Sequence, residues 1–365
     1  MTAYAPRRAR DVRAGDVRER SPRDGRVLPV GPLAAVLAVA LLAALTAAVA
    51  RGSTSVPPAE VWGVVWRRLS ARPQAGTDDL VVWQLRVPRA LLAALVGAGL
   101  GLAGAAVQAL VRNPLADPHL LGVSSGASLG AVAALVLGAG AGDALGVGLS
   151  GAAFAGALAT FALVWAVAVR GGGLAPLRLV LAGVAIGQFL AGLTSYLVLQ
   201  AGDEQRTQSV LFWLLGSLGG ANWQQLTLPA LAVPAAGLWL QARARALNAL
   251  LMGDETAAGL GVDATRLRRE LFTATSVLTG VLVAVSGAVA FVALMVPHAC
   301  RLAVGGDHRR LLPVAALSGA LLLVVVDLVC RTAMDTRELP LGVVTSLLGA
   351  PTLLWLLDRR TGSGR

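Results

Sequence analysis

The sequence predicts an all-α, polytopic membrane protein of about ten transmembrane helices. Three observations predict it. Hydrophobic residues make up 56% of the chain and charged residues only 14%, with a mean hydropathy of +0.71. A soluble chain carries about a quarter charged residues, and this one has too few to cover a water-facing surface. The apolar runs are ~20 residues long, the length a helix needs to cross a bilayer. They do not alternate with period two, which excludes a barrel. One membrane domain is expected over residues 30–358, with a basic tail before it (1–29) and a short tail after it (359–365).

Residues 1–29 carry eight Arg and no apolar period, so they read as a disordered basic tail. A run over 32–50 follows. Its "AVA" imitates a signal-peptidase site, but the run exceeds a typical signal core, and it reads as a first span. Residues 51–87 form an extramembrane segment. Further spans are expected at 88–111, 120–139, 147–169, 179–200, 226–241, 271–291, 294–304, 311–330 and 342–357. The segment 203–223 reads as a short surface helix with Trp213 and Trp223 at the interface. With the N-terminus placed in the cytoplasm, 22 Arg fall inside and 9 outside. That bias puts both termini inside, in a multi-pass cell-membrane protein.

The stretch "RNPLADPHLLGVSSGA" (112–127) interrupts two apolar runs. Pro114 stops the helix that contains Gln108, Asp117-Pro118 starts a turn, and Ser124 and Ser125 open the next span. Such breaks are tolerated at membrane depth only where they pack in protein or line a cavity. A hinge or gate beside a transport path fits Gln108, Asn113, Pro114, Leu115, Ser124 and Ser125. A weak internal repeat relates 95–114 to 278–297 at an offset of 183, pairing Gly97 with Gly280 and Gly104 with Gly287. The two copies are expected to run in opposite directions, as transporter repeats do. Gly97, Gly101 and Ala105 share one helical face, either for close helix packing or to line a path.

The polar residues narrow the chemistry. All 31 basic residues are Arg, so a phosphate-binding loop with its Lys is absent, and ATP-driven work would need a partner chain that binds the nucleotide and Mg. Cys300 and Cys330 read as apolar fillers, and His119, His298 and His308 form no metal-ligand pattern. No cofactor or metal in this chain is expected. Asp327 is the one acid deep in an apolar run, and Arg331 lies one turn away to pair with it. A single buried acid argues against an ion-coupled carrier. No nucleophile–base set supports a membrane enzyme. Residues 243–270 form the longest polar interruption on the inner side, with Gly253-Asp254 as a turn and N-cap before a short helix. It reads as a docking element or a plain solvated loop. Arg86 and Arg89 stand outside, against the positive-inside trend. They either receive a partner's carboxylates or snorkel at a helix end.

Together the motifs "RVPRALLAALVGAGLGLAGAAVQALVRNPLADPHLLGVSSGA", "LVLAGVAIG", "FWLLGSLGGANW", "LLMGDETAAGLGVD", "SGAVAFVALMVPHACRL", "DHRRLLP" and "ELPLGVVTSLLGAPTLLWLL" resemble the FecCD-type permease subunits of binding-protein-dependent ABC importers. These import iron–siderophore complexes, haem or vitamin B12. The resemblance implies a vitamin-B12-permease-like subunit of ten helices. It would pair with a second permease chain, identical or related, and with two cytoplasmic ATPase subunits, and would receive ligand from an extracytoplasmic binding protein. It implies that Gly253, Asp254, Glu255, Ala258, Gly259, Leu260 and Gly261 meet the ATPase. It implies that Arg86, Arg89 and Arg331 face the binding protein, and that Asn113 and Leu115 belong to a cytoplasmic gate. Pro176-Leu177 depart from the hydroxyl residues of the vitamin B12 permease. The ligand class expected first is a ferric siderophore, with cobalamin and haem as alternatives.

Overall fold

The computed structural model describes residues 28–52, 55–70, 76–137, 148–169, 175–202, 204–334 and 337–362, without the side chains of 77, 78 and 355–362. The expected basic tail, apart from 28–29, and the last residues of the C-terminal tail lie outside this set. The described residues form helices and turns. In chain order these are α1 (Val30–Ala50), α2 (Pro58–Leu69), α3 (Thr77–Leu80), a π-helical turn (Val81–Arg86) that runs into α4 (Val87–Val111), and a 3-10 turn (Pro118–Leu121). There follow α5 (Val123–Val136), α6 (Gly148–Val169), α7 (Pro176–Leu199), α8 (Glu204–Leu214), α9 (Trp223–Ala242), α10 (Ala244–Leu251) and α11 (Asp254–Gly259). The chain ends with α12 (Ala264–Ser286), α13 (Val292–Val304), α14 (His308–Thr332) and α15 (Leu341–Gly362).

Each of the ten expected spans coincides with a helix among the described residues, but the one expected over 271–291 stops at Ser286, and 138, 139 and 147 lie outside the described residues. Among the described residues, six helices are long and apolar enough to cross a membrane, and α5, α13 and the first part of α15 are shorter apolar helices. The remaining span, α9, is 20 residues long and holds Pro229 and Pro234. Local chemistry sets the helix starts. The side chains of Asn222, Asp263 and Asp307 accept hydrogen bonds from the main-chain N–H groups of Gln225, Arg266 and Arg309, which caps α9, α12 and α14.

Helix α4 is the axis of the bundle. It packs against α14, α13, α12, α9 and α1, while α5 packs against α6, α7 and α12. The small-residue face explains how α14 comes so close. A Cβ at Gly97 would sit 2.1 Å from the Gly319 carbonyl oxygen, and one at Gly319 would sit 2.2 Å from that of Gly97. One turn along, a Cβ at Gly101 would lie 2.4 Å from the Ala315 oxygen. Small residues let the two backbones meet, so van der Waals contact replaces the hydrophobic drive that lipid does not supply. The packing reading of this face holds. Helices α6 and α12 meet through an aromatic layer, with Phe161 and Phe272 ring centres 5.1 Å apart and Trp165 at 5.9 Å from both. Both cysteines are buried and free.

The two repeat copies do run in opposite directions, since the end of α4 and the start of α12 both converge on Asp254. Their helix limits differ. Gly104 lies mid-helix against the Ala293 carbonyl, whereas Gly287, with φ +66°, ends α12. The second copy therefore breaks at 287–291 and restarts as the short α13.

Candidate functional site

Two polar constellations lie at opposite ends of the bundle. The first surrounds α11. Gly253 has φ +106°, a conformation that suits glycine, and turns the chain into α11. Only Ala257 of this helix is buried. Asp254, Glu255, Thr256, Ala258 and Gly259 are exposed, and so are Met252, Leu260 and Gly261 around it. Gly261, at φ +78°, and the Val262 N–H bond to the Ala257 carbonyl close the helix. The result is a small capped knob with an apolar and acidic surface.

The knob is tied to the bundle. Arg268 of α12, itself buried, forks onto the Asp254 carboxylate, with one bond of 2.9 Å. Arg112 at the end of α4 lies 3.4 Å from the same carboxylate. The Arg268 hydrogen bond, with the positive charges of Arg268 and Arg112, holds the Asp254 carboxyl below the usual carboxylate range despite its partial burial. A second tie joins α10 to the start of α14. Asn248 donates to Asp307 at 2.7 Å and accepts from the His308 N–H at 3.0 Å. Burial would raise the Asp307 carboxyl, but the Asn248 bond outweighs it and keeps it low. Arg268, Arg112 and Asn248 were not singled out as site residues from sequence. Asp254 and Arg268 are fourteen positions apart, and the turn around Gly261 interrupts any helical period between them.

The break after α4 forms as expected. Arg112 ends the helix at φ +54°, the Asn113 side chain accepts the Leu115 N–H at 2.9 Å, and Asp117 caps the 3-10 turn. His119 Nε2 lies 3.3 Å from the Val289 carbonyl, in the other helix break. The gate residues do not share one surface. Asn113 is exposed, Pro114, Leu115 and Ser125 are half-buried, and Ser124 is buried. Gln108 is a correction. It is buried within the bundle, donating to the Leu294 carbonyl at 3.2 Å and accepting from Arg301 at 3.0 Å, so it ties α4 to α13 and faces no open path.

The second constellation borders a cavity of about 620 Å³ at the opposite end, where Arg86, Arg89, Arg331, Arg337 and Glu338 converge. Arg86 corrects the expectation of a displayed guanidinium. It is 5% exposed and donates to the Val49 and Ala50 carbonyls, at 3.1 and 3.3 Å, that end α1. Arg331 pairs with Asp327 at 3.1 Å, as its spacing predicts, and also donates to the Ala48 carbonyl at 2.9 Å. Arg89 reaches Asp327 at 3.0 Å and holds both carboxylate oxygens of Glu338, at 2.9 and 2.8 Å. Glu338 was missing from the sequence reading because it lies far along the chain from Arg89.

Comparison with known proteins places this architecture. The cobalamin import system permease protein BtuC of Halobacterium salinarum is 42% identical over 344 residues, spanning 91% of this chain and 91% of that protein. The vitamin B12 import system permease protein BtuC of Klebsiella pneumoniae is 40% identical over 328 residues, 90% of this chain and 94% of that one. A solved structure, described as an inward-facing conformation of a metal-chelate type ABC transporter, superposes with a TM-score of 0.78 at 30% identity, covering 90% of this chain and 99% of that one. The FecCD transport family pattern matches residues 39–359, from within α1 to within α15. The chain belongs to the FecCD transport family.

Proposed function

We propose that this chain is the membrane permease subunit of an ABC importer for a bulky metal chelate, with cobalamin as the first ligand to test. The observation that carries the importer reading is the exposed knob of α11, fixed by Asp254 to Arg268 and Arg112. A surface helix held rigidly to two bundle helices suits a mechanical input from a separate ATPase. In this reading both termini are cytoplasmic and α11 docks on one of two ATPase subunits, where nucleotide and Mg are held. A second permease chain completes the path, and the cavity at the Arg89 end meets a solute-binding protein. ATP-driven closure of the partner subunits pushes α11. The push passes through Asp254 to α12 and α4, and it re-aims the break at Asn113–Gly122. No covalent chemistry takes place in this chain.

The relatives support cobalamin as the ligand. Two that are 40–42% identical over nine-tenths of this chain are named for cobalamin or vitamin B12 import. The ferric siderophore expected first from sequence remains the second reading, supported by the metal-chelate description of the structural relative. Uptake of radiolabelled cobalamin, and separately of the host's labelled ferric siderophore, is measured in a strain lacking this chain. Loss of cobalamin uptake, restored by the chain, supports the first reading. Intact cobalamin uptake with lost iron uptake replaces it with the second.

A further inference from the structure

At the Arg89 end, the hydrogen bonds distinguish three arginines that look alike in sequence. Arg86 spends its bonds on the main-chain carbonyls that end α1. Arg331 is divided between those carbonyls and Asp327, which is wholly buried. Neither can turn to a partner without leaving a helix end or a buried carboxylate unpaired, and both losses are costly. Arg89 differs. Its Nε holds Asp327, but its two outer nitrogens hold Glu338, whose side chain is 45% exposed. Water reaches this pair. Another carboxylate can replace Glu338 and keep every bond of the Arg89 fork, while Glu338 moves into water. Among the described residues lining the cavity, four arginines face one acid, and that surplus favours an acidic visitor.

We propose that Glu338 is an internal placeholder for a partner's carboxylate: a docking protein presents an Asp or Glu that takes over Arg89 and expels Glu338. This rests on the reading of this end as the binding-protein face. Expulsion has somewhere to go. Glu338 sits beside Leu339, whose N–H bonds the Cys330 carbonyl. Leu341 and Gly342 bond the carbonyls of Gly216 and Leu215, and the Ser217 N–H bonds the Ser286 carbonyl at the end of α12. The other end of α12 carries Arg268 and the α11 knob. A partner that frees Glu338 therefore acts directly beside the segment braced against α12, the helix whose other end ties to α11.

The test uses the whole importer in lipid nanodiscs, with the solute-binding protein that supports its uptake as the probe. Glu338→Gln removes the competitor's charge. For an ion pair this exposed, docking is expected to tighten about threefold, with higher ATP hydrolysis before any binding protein is added. In an Arg89→Lys background, where the fork is gone, the Glu338→Gln gain should vanish. A spin label at Arg337→Cys should gain mobility when the binding protein is added. Weaker or unchanged docking by Glu338→Gln overturns the placeholder, as does an equal gain in both backgrounds. Wild-type permease that binds no solute-binding protein at all overturns the reading of this face, and the placeholder with it.

Discussion

The Asp254–Arg268 pair predicts an asymmetry between its two halves. Arg268 is 4% exposed, whereas the Asp254 side chain is half exposed. Removing the acid strands a buried guanidinium, a loss that costs about 3–5 kcal/mol when the pair is wholly enclosed. Water reaches this pair from the Asp254 side, which lowers the figure to about 2 kcal/mol for Asp254→Ala. Removing the base strands only a half-hydrated carboxylate, with Arg112 still 3.4 Å away. Arg268→Met also keeps most of the buried aliphatic volume, so its cost is about 1 kcal/mol. The difference of about 1 kcal/mol is roughly a factor of five in the unfolding equilibrium. Thermal midpoints in one detergent at one scan rate should fall further for Asp254→Ala than for Arg268→Met. Both variants should raise the ATP hydrolysed per ligand transported, because either one unties α11 from α12. An Arg268→Met loss equal to or larger than that of Asp254→Ala refutes the burial argument. Unchanged coupling in both refutes the mechanical role of the tie.

The folded Asp254 carboxyl titrates below its unfolded value, so its contribution is present above that value, near pH 4, and is lost as pH falls through the lower folded one. The stability gap between wild type and Asp254→Asn should therefore be flat from about pH 5 to 8 and close only below about pH 4; a gap that shrinks between pH 6 and 8 contradicts this. Gly97→Ala should destabilise the bundle by about 1–3 kcal/mol, since its Cβ would meet the Gly319 carbonyl. Gly192→Ala meets nothing within 4 Å and should be neutral or slightly stabilising, which detergent melting curves would resolve. Glu255→Arg, at an exposed position of α11, should lower ATPase co-purification while leaving the permease folded; full co-purification removes Glu255 from the docking surface.

What could be read from sequence depended on distance along the chain. Helix limits, the break at Pro114 and Asp117, the small-residue face and the Asp327–Arg331 pair all rest on neighbours within a few residues. Periodicity and turn chemistry expose such neighbours directly. Contacts across the bundle left no such trace. Arg89 meets Glu338 at a separation of 249 positions, and Gln108 meets Arg301 at 193. An apolar helix with one Gln on it reads equally well as a path or as a cross-helix tie. The short α13 was legible as a span but not its cause. The break is set where Gly287 lies against the Trp213 carbonyl, a contact that only the folded chain makes.

Two of the arginines expected on the side that charge bias disfavours, Arg86 and Arg331, find a physical account in α1. Its last turn leaves main-chain carbonyls without helical partners, and this end faces the bundle rather than bulk water: Ala48, Val49 and Ala50 are all buried. An unpaired carbonyl there is expensive. The sequence after α1 supplies no capping glycine in the left-handed conformation, since Arg51 is extended. Arg86 and Arg331 bring guanidinium groups from α4's approach and from α14 to the carbonyls of Ala48, Val49 and Ala50. A guanidinium suits this task because it carries several donors in a fixed plane and keeps its charge when partly buried. Lys would offer a single rotating ammonium that loses more on desolvation. The positive charge that stabilises a helix C-terminus is thus provided from elsewhere in the chain. That requirement, and not a partner alone, is enough to account for two cations at this end of the bundle. It leaves Arg89, whose outer nitrogens hold no main-chain carbonyl, as the one member of the trio able to exchange its carboxylate.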